Sequence, residues 1–266
     1  MPELAEVEFY RKQWDEGLGQ TIASVHLRPE KRIFRGVNTH DLVETLKGAT
    51  FLESRAHGKQ MLFHFSKGAW LGLHLGMTGK LRCEKLPFKP GKHDHLVLGQ
   101  KKQSLVYSDP RLFGRVLFHM GKKEPDWWSN LSPGISSREF SYSFFQKILQ
   151  RHRKAPVKAV LLLQSGFPGI GNWMADEILW QAQVNPRISA EKLKKEKLKL
   201  LYEKTRLVSR QALKIIGKDF SDPPKTWLFS YRWKKKGFCP RCEKVLQHAT
   251  IGGRTTCWCP NCQEAE

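Results

Sequence analysis

Long apolar runs are missing from this sequence of 266 residues. No stretch approaches the roughly 20 apolar residues that a membrane-spanning helix needs, and no lipidation signal is present, so we expect no membrane partner. The first residues are acidic and amphipathic and do not resemble a secretory signal, which favours the reducing environment of the cytoplasm. Internal repeats are absent too, and with 40% hydrophobic residues the chain can bury one large core or two modest ones.

Acidic residues are scarce relative to basic ones. The chain has 25 Asp and Glu against 46 Lys and Arg, which gives a formal net charge of +21. A surplus of this size in a domain-sized chain is the electrostatic footprint of nucleic-acid binding. An anionic membrane surface would attract the same charge, but the missing membrane signals favour nucleic acid.

Cysteine is limited to six residues, and four of them form two CxxC motifs near the C-terminus. A stretch of sixteen residues (243–258) separates the motifs and can form a hairpin with Gly252-Gly253 near its tip. This spacing is typical of a four-thiolate structural zinc site. Disulfides are the competing interpretation, and a reducing compartment favours one zinc ion over them. The predicted ligands are Cys239, Cys242, Cys259 and Cys262, while Cys83 and Cys257 lie outside this set.

The first eight residues, MPELAEVE, carry a possible nucleophile. Removal of Met1 would leave Pro2 with a free secondary amine, and a chain-terminal amine has a reference pKa of about 7.7–8.0. Such an amine attacks carbonyl carbon, and a proline amine gives an iminium that is an electron sink for elimination. The alternative is an ordinary helix whose first turn is acidic and begins with proline.

The pattern of apolar residues along the chain changes near residue 120. Before it, short apolar runs alternate with turn residues, which predicts the strands of a sandwich or barrel. An amphipathic helix is predicted ahead of these strands, over residues 4–16. The predicted strands lie in TIASVHL (21–27), ATFLES (49–54), MLFHF (61–65), AWLGLHL (69–75), HLVL (95–98), SLVYS (104–108) and RVLFHM (115–120).

A polar, turn-rich stretch over 121–137 is the predicted linker, and the period after it becomes helical. The predicted helices cover 140–150, 156–164, 172–184 and 190–216. Farther on, aromatic residues recur at period two, which predicts a strand with one aromatic face. That face would either pack on the zinc domain or offer a stacking platform for a flipped base or a single strand. Its members are Trp227, Phe229, Tyr231 and Trp233.

Three turn segments could bind a phosphate or a base. The glycines in 166–172 would let a phosphate approach backbone amides at a helix N-terminus, although a tight packing turn explains them equally well. The segments 74–80 and 108–114 each place a turn beside side chains that look exposed. These are His74, Met77, Lys80, Arg111 and Phe113, of which Met77 and Phe113 have the alternative of being core residues.

Seven segments follow one another along the chain: MPELAEVE, HGKQ (57–60), HLGMTGK (74–80), KHDH (92–95), DPRLFG (109–114), GIGNWMADEILW (169–180) and the closing zinc finger. In these segments and their order the sequence resembles the formamidopyrimidine-DNA glycosylase / endonuclease VIII (Fpg/Nei) family of base-excision repair enzymes. The resemblance implies an α+β fold: an N-terminal β-sandwich with an N-terminal helix, then a helical domain with a helix-two-turn-helix and a zinc-finger β-hairpin. The implied domains are 1–120, 138–235 and 236–266, joined by the linker.

The resemblance also implies roles for single residues. Pro2 would attack C1′ of the damaged nucleotide, Glu3 would be the general acid/base, and Lys59 would contact the phosphate that flanks the lesion. An enzyme that acts on a base must first extrude it from the duplex. The implied phosphate contacts are His74, Asn172 and Arg254, and the implied wedge that fills the vacated space is Met77, Arg111 and Phe113.

The implied activity is that of a bifunctional DNA glycosylase/AP lyase on damaged double-stranded DNA, with strand cleavage by β,δ-elimination. We expect a cytoplasmic monomer, associated with the nucleoid if the source is bacterial. Arg111 offers paired donors that suit an orphaned cytosine, which favours oxidised or ring-opened purines as the excised bases. Two alternatives stay open: an endonuclease VIII-like enzyme for oxidised pyrimidines, and a non-catalytic zinc-ribbon protein that binds damaged DNA.

One residue and one segment depart from the family pattern. Ala5 stands where the family commonly has a second proline, which affects only the start of the helix. Purine-specific members carry a glycine- and threonine-rich loop that covers the flipped base, whereas this chain has GKDFSDPPKTWLFSYRWKKKG over 217–237. We therefore expect ring-opened purines and abasic sites to be processed at least as well as 8-oxoguanine.

Overall fold

The computed structural model describes residues 1–234 and 236–264. They form two compact units, which are described separately. The N-terminal unit contains Met1–Pro2 and Glu6–Leu131, and the C-terminal unit contains Glu3–Ala5 and the chain from Ser132 onward. No helix in the described ranges is long and apolar enough to cross a membrane.

The N-terminal unit is a sandwich of two four-stranded antiparallel sheets. One sheet has the strand order β1-β6-β7-β5 and the other β2-β3-β4-β8. The strands are β1 Ser24–Leu27, β2 Phe51–His57, β3 Gln60–Phe65, β4 Ala69–His74, β5 Lys80–Lys85, β6 Asp94–Gly99, β7 Gln103–Ser108 and β8 Arg115–Met120. The helices are α1 Leu4–Lys12, α2 Thr39–Leu46 and α3 Asp126–Ser129.

The two sheets bury one shared core. Phe63 on β3 is fully buried, with its ring centroid 4.7 Å from that of Trp14 and 5.9 Å from that of Phe51. Leu98 on β6 and Tyr107 on β7 contribute to the same cluster from the other sheet. Aromatic and aliphatic side chains from facing sheets are what holds a sandwich together, so the predicted β-sandwich is confirmed.

Strand β5 and helix α2 of this unit were not predicted. Strand β5 reads KLRCEK, and only Leu81 in it is buried, so the strand has almost no apolar pattern of its own. The strand forms instead because it pairs with β7 through antiparallel backbone hydrogen bonds. Helix α2 buries Leu42 and Leu46, which are four residues apart, and Asn38 caps it by accepting hydrogen bonds from the backbone amides of His40 and Asp41.

The predicted linker, 121–137, contains packed structure. Helix α3 lies inside it, and Trp128 on that helix is buried in a small cluster with Leu62 and Trp70. The turn-rich composition predicted a break between sandwich and helices, but two adjacent tryptophans give the first half of the stretch enough apolar surface to pack on the N-terminal unit. The three boundaries between the segments 1–120, 121–137, 138–235 and 236–266 stay predictions.

The C-terminal unit is helical and ends in a hairpin. Its core is built around α6, which is buried on nearly every side, and the much longer α7 buries one face. The predicted helix over 190–216 is in fact a short 3₁₀ turn at Ala190–Lys192 followed by α7. The elements are α4 Tyr142–Arg151, α5 Val157–Leu161, α6 Asn172–Gln181, α7 Lys195–Asp219, β9 Gln247–Ile251 and β10 Arg254–Trp258.

The predicted strand over 227–233 is wrong. The segment forms a 3₁₀ helix at Leu228–Ser230, and the amides of Tyr231 and Arg232 both donate to the carbonyl of Leu228. Because these hydrogen bonds are local, the period of two does not put the aromatic rings on one face. Trp227 and Phe229 pack with the helical core, while Tyr231 packs with the zinc-finger cluster and Trp233 is exposed.

Candidate active site, nucleic-acid interface and zinc site

The carboxylate of Glu3 is held at the N-terminus of α6. It accepts backbone hydrogen bonds from Gly171 and Trp173 at 3.0 Å and from Met174 at 3.1 Å, and Glu3 is only 3% exposed. Helix N-termini present unpaired N–H groups and a partial positive charge, so an anionic side chain is stabilised there. The residue that follows Pro2 is thereby fixed in position.

Glycine is required at position 171 by this close approach. A Cβ atom built on Gly171 would overlap the side chain of Glu3, so any other residue would push the carboxylate away. The glycine-rich turn was predicted to offer backbone amides to a phosphate. The structure assigns the amide of Gly171 to Glu3 and that of Gly169 to the side chain of Gln164. The glycine-rich turn therefore donates a backbone hydrogen bond to an internal carboxylate.

Asn172 and Arg254 are brought together by the zinc-finger hairpin. The side-chain amide of Asn172 donates to the carbonyl of Thr255 at 2.8 Å, directly beside the exposed Arg254. Gly252 and Gly253 form the two-residue turn between β9 and β10 with positive φ angles of 59° and 73°. Consecutive positive φ angles are typical of the tight hairpin turn that glycine favours, so the predicted hairpin and its tip are confirmed.

A buried ionic cluster that no sequence motif indicates ties the finger to α6. Asp176 pairs with Lys158 and with Arg232, and the side chains of all three are almost completely buried. Asp176 also accepts the backbone amide of Cys257, and Lys158 donates to the carbonyl of Asn172. Burial lowers the pKa of Lys158, and the charge of Asp176 opposes that shift. No local pattern could reveal ions that meet from such distant segments.

In the N-terminal unit, Lys59 and His74 lie close together. Lys59 is in the two-residue turn between β2 and β3 and is 8% exposed, and His74 ends the neighbouring strand, β4, opposite Gln60. The Nδ1 atom of His74 accepts a hydrogen bond from the amide of Gly76 at 3.1 Å. Burial lowers the pKa of His74, and the positive charge of Lys59 lowers it further. His74 is therefore neutral at pH 7, with its proton on Nε2.

Met77, Arg111 and Phe113 come from two turns that touch. A Cβ atom on Gly76, which has a positive φ of 59°, would clash with the backbone of Phe113. Met77 is 41% and Phe113 44% exposed, so neither is a core residue. The guanidinium carbon of Arg111 lies 4.8 Å from the centroid of the Phe113 ring. Two apolar side chains and a guanidinium thus share one exposed ridge.

Asp109, which is not among the predicted site residues, organises this ridge. It is fully buried and accepts hydrogen bonds from the Thr78 hydroxyl at 2.8 Å and from the amides of Arg111 and Gly114 at 3.3 and 2.7 Å. One carboxylate therefore fixes both turns. The Asp-Pro pair that begins DPRLFG was the available signal, because Asp commonly accepts hydrogen bonds from amides that follow it in a turn.

The four predicted zinc ligands converge. Their Sγ atoms all lie within 4.8 Å of one another, and the Cys242–Cys259 separation is 3.5 Å. A tetrahedral zinc ion with Zn–S bonds of about 2.3 Å needs sulfur atoms about 3.8 Å apart, so the residues fit this metal. Cys257 is outside the set, and burial raises the pKa of its thiol to about 12. The ring of His248 contacts the carbonyl of Arg232 at 3.0 Å.

Comparison with known proteins matches three segments of the chain to known domain families. Residues 1–116 match the family model of the formamidopyrimidine-DNA glycosylase N-terminal domain, residues 131–222 its H2TH domain, and residues 237–265 a zinc finger found in Fpg and IleRS. Sandwich, helical domain and finger together define a class of zinc-containing DNA glycosylases.

Whole-chain similarity points to one family. A formamidopyrimidine-DNA glycosylase of Xanthomonas axonopodis pv. citri is 33% identical over 274 residues, which cover 99% of this chain and 100% of that protein. The structure of MutM bound to DNA with carbocyclic 8-oxo-G has a TM-score of 0.88 at 28% identity. The Lactococcus lactis Fpg bound to DNA with an oxidised pyrimidine has a TM-score of 0.87 at 27% identity. Each structural match covers 99% of this chain and 100% of the other. This chain belongs to the formamidopyrimidine-DNA glycosylase (Fpg/Nei) family.

The four-cysteine cluster is the site of one structural zinc ion, since its geometry and the zinc-finger match agree. The finger cluster around these cysteines has few buried apolar residues, namely Trp180, Leu228 and Leu246. A hairpin with so small a core depends on metal binding for its folding free energy.

We predict that exchange of a ligand and exchange of a neighbouring thiol have opposite effects on metal content. Cys257→Ser should retain about one zinc per chain, whereas Cys259→Ser should lose the metal and unfold the finger. Elemental analysis of both purified variants measures this, with circular dichroism to follow the hairpin. Loss of zinc in Cys257→Ser together with retention in Cys259→Ser would show that the ligand set is wrong.

Proposed function

We propose that this protein is a bifunctional DNA glycosylase/AP lyase of base-excision repair that removes oxidised or ring-opened purines. The observation that carries the proposal is the buried Glu3 carboxylate, fixed at the N-terminus of α6 and joined directly to Pro2. An immobilised acid/base beside a secondary amine is the pair that glycosidic-bond cleavage followed by elimination requires.

In the proposed reaction Pro2, freed of Met1, attacks C1′ of the damaged nucleotide. The glycosidic bond breaks, the base leaves with a proton, and opening of the sugar ring gives a C1′ iminium on Pro2. The iminium acidifies the protons on C2′, and removal of one of them expels the 3′ phosphate. Removal of the C4′ proton from the conjugated iminium that results expels the 5′ phosphate. Glu3 transfers protons in these steps. The strand is cut on both sides of the lesion by β,δ-elimination.

Contacts to the phosphates come from Lys59, His74, Asn172 and Arg254 in this proposal. Lys59 and Arg254 supply positive charge, which gives most of the affinity for DNA. His74 is neutral and donates from Nε2, because Nδ1 already accepts the amide of Gly76. The chain's net charge of +21 supports a polyanionic partner.

The exposed ridge of Met77, Arg111 and Phe113 would enter the duplex where the lesion leaves it. A flexible thioether and an aromatic ring replace part of the lost stacking, and the guanidinium presents two donors to the orphaned base. Cytosine offers two acceptors that match such a pair, which supports a guanine-derived lesion.

A second substrate class, oxidised pyrimidines, is favoured by one feature of the chain and one relative. The segment 217–226 is unlike the loop that covers flipped purines, and Pro223 within it is buried, so the segment is anchored. The L. lactis Fpg has been solved with an oxidised pyrimidine in its DNA. We rank ring-opened purines and abasic sites first, with 8-oxoguanine not preferred over them.

We further propose that the enzyme acts as a monomer on damaged double-stranded DNA in the cytoplasm, or at the nucleoid in a bacterium. A non-catalytic DNA-binding protein is the contrasting function. Borohydride reduces an iminium to a stable amine, so covalent trapping on lesion-containing DNA separates the two functions.

We predict that Pro2 and Glu3 affect different steps. Pro2→Gly should remove most lyase activity, because the iminium is no longer permanently charged. Glu3→Gln should abolish base excision while DNA binding stays nearly intact. Single-turnover gel assays with borohydride trapping on duplexes that contain one lesion measure both effects. Normal excision by Glu3→Gln would contradict the assigned role.

A second variant displaces the Glu3 carboxylate and leaves Glu3 itself unchanged. Gly171→Ala introduces a methyl group into the space of the Glu3 carboxylate, so it should reduce excision nearly as strongly as Glu3→Gln. Gly91→Ala is the matched control, because a methyl group there meets only the Asp94 carboxylate at 3.3 Å. Full activity of Gly171→Ala would show that excision does not depend on the α6 contact.

We predict that Arg111 reads the base opposite the lesion. A good bidentate contact gives about 1–3 kcal/mol of discrimination, so a guanine-derived lesion should be excised roughly tenfold or more faster opposite C than opposite A. Arg111→Ala should flatten that preference more than it lowers overall affinity, since phosphate contacts remain. Excision rates on duplexes with each of the four opposite bases measure this. Equal rates opposite all four bases in the unaltered enzyme would refute the assignment.

We predict that His74 contributes affinity without charge. His74→Ala should weaken DNA binding but leave the slope of log K against log salt unchanged, whereas Arg254→Ala should reduce the slope by about 0.9. The lowered pKa of His74 means that it gains a proton only below its ordinary range near pH 6.5. Its contribution should therefore not change between pH 7 and 8. A slope that falls in His74→Ala would mean that the ring is charged when it binds.

A further inference from the structure

Trp233 is the most exposed large hydrophobic side chain in the described part of the chain, with 66% of its surface accessible. The residues just before it are anchored: Trp227 is 6% exposed, Leu228 is buried, and Phe229 packs edge-on against Trp173 with centroids 5.0 Å apart. The exposed indole therefore extends from a fixed backbone, and the packing of the fold does not use it.

The indole is held by a guanidinium that is itself immobilised. The guanidinium carbon of Arg232 lies 4.0 Å from the centroid of the Trp233 ring, within the range of a cation–π contact. Arg232 is 5% exposed and donates from Nε to Asp176 at 3.1 Å, and Asp176 belongs to α6. Because the ring rests on a buried ion pair, little conformational entropy is lost when a planar group stacks on the ring.

The surroundings of Trp233 are basic. Residues 223–242 contain six Lys and Arg and no Asp or Glu, and Lys234 and Lys236 are exposed. A second exposed aromatic ring lies five positions farther along the chain. Phe238 is 55% exposed and pairs with Val245, which is 52% exposed, in an isolated β-bridge. Exposed aromatic rings within a run of lysines form the pattern of a surface that stacks bases and attracts phosphates.

We propose that Trp233 is a stacking site for an unpaired base of single-stranded DNA, with Lys234 and Lys236 attracting the neighbouring phosphates. A stacking platform needs a base whose face is free, and the bases of an intact duplex are covered on both faces. The partner is therefore a single-stranded segment and not the duplex. The proposal is independent of the proposed base excision, because undamaged single strands need no catalysis to bind.

The test measures binding of an undamaged oligothymidylate of about 10 nucleotides by fluorescence anisotropy, with the full chain. Trp233→Ala should weaken binding about 5- to 150-fold, the range expected for loss of one base–aromatic stack. Trp233→Phe should restore most of the affinity, because an aromatic face remains. Leu52→Ala, which shortens a side chain that is 50% exposed in the other unit, should bind like the unaltered protein.

A second oligomer separates stacking from charge. An oligomer of tetrahydrofuran sites has the same phosphates and no bases, so Trp233→Ala and the unaltered protein should bind it equally. The zinc content and thermal midpoint of Trp233→Ala should be unchanged, which shows that the finger is folded.

Three results would overturn the proposal. The first is equal binding of oligothymidylate by Trp233→Ala and the unaltered protein. The second is the same loss of affinity on the base-free oligomer. The third is a dimer, seen by sedimentation, that Trp233→Ala dissociates, because the occupant of the surface would then be a second copy of the chain.

Discussion

The hydrogen bonds between Glu3 and the start of α6 are the constraint on which the candidate site depends. A carboxylate that is 3% exposed must find donors, and those it meets belong to backbone amides about 170 positions away along the chain. They place Glu3–Ala5 in the C-terminal unit, although the rest of α1 belongs to the sandwich. The glycine at position 171 allows the approach. The carboxylate of the acid/base candidate is therefore held by backbone amides, whose positions do not depend on the rotamers of neighbouring side chains.

Two buried polar centres hold the rest of the C-terminal unit. The zinc thiolates organise a finger with few apolar residues, and Asp176 joins Lys158, Arg232 and the amide of Cys257. Both centres satisfy groups that would be costly to bury alone, and both involve β10 or its end. The same hairpin carries Arg254 and accepts the side chain of Asn172. The proposed phosphate contacts of this unit thus rest on the metal site and the ion cluster together.

Most elements with a strong apolar period could be predicted, although α2, with Leu42 and Leu46 four residues apart, was not. Seven of the eight sandwich strands and the helices around α6 follow such patterns, because their burial is decided by their own residues. Strand β5 is mostly polar and exists through its pairing with β7. The aromatic residues at 227–233 have the period of a strand, yet local hydrogen bonds and a contact from the amide of Phe229 to Glu177 turn the segment into 3₁₀ structure. The burial of the four rings therefore does not follow the period of two in the sequence.

The zinc ligands, the nucleophile candidate and the family could be predicted from the amino-acid sequence, because the spacing and order of short motifs carry that information. How these parts are held depends on the folded structure. Asp109 joins two turns, Asp176 joins the finger to α6, and the amides of the glycine-rich turn go partly to Glu3. Apart from the local contact between Asp109 and Gly114, these contacts link residues that are far apart along the chain. Their partners are chosen by the packing of the folded chain, since a buried charge takes whichever donors the fold brings within reach.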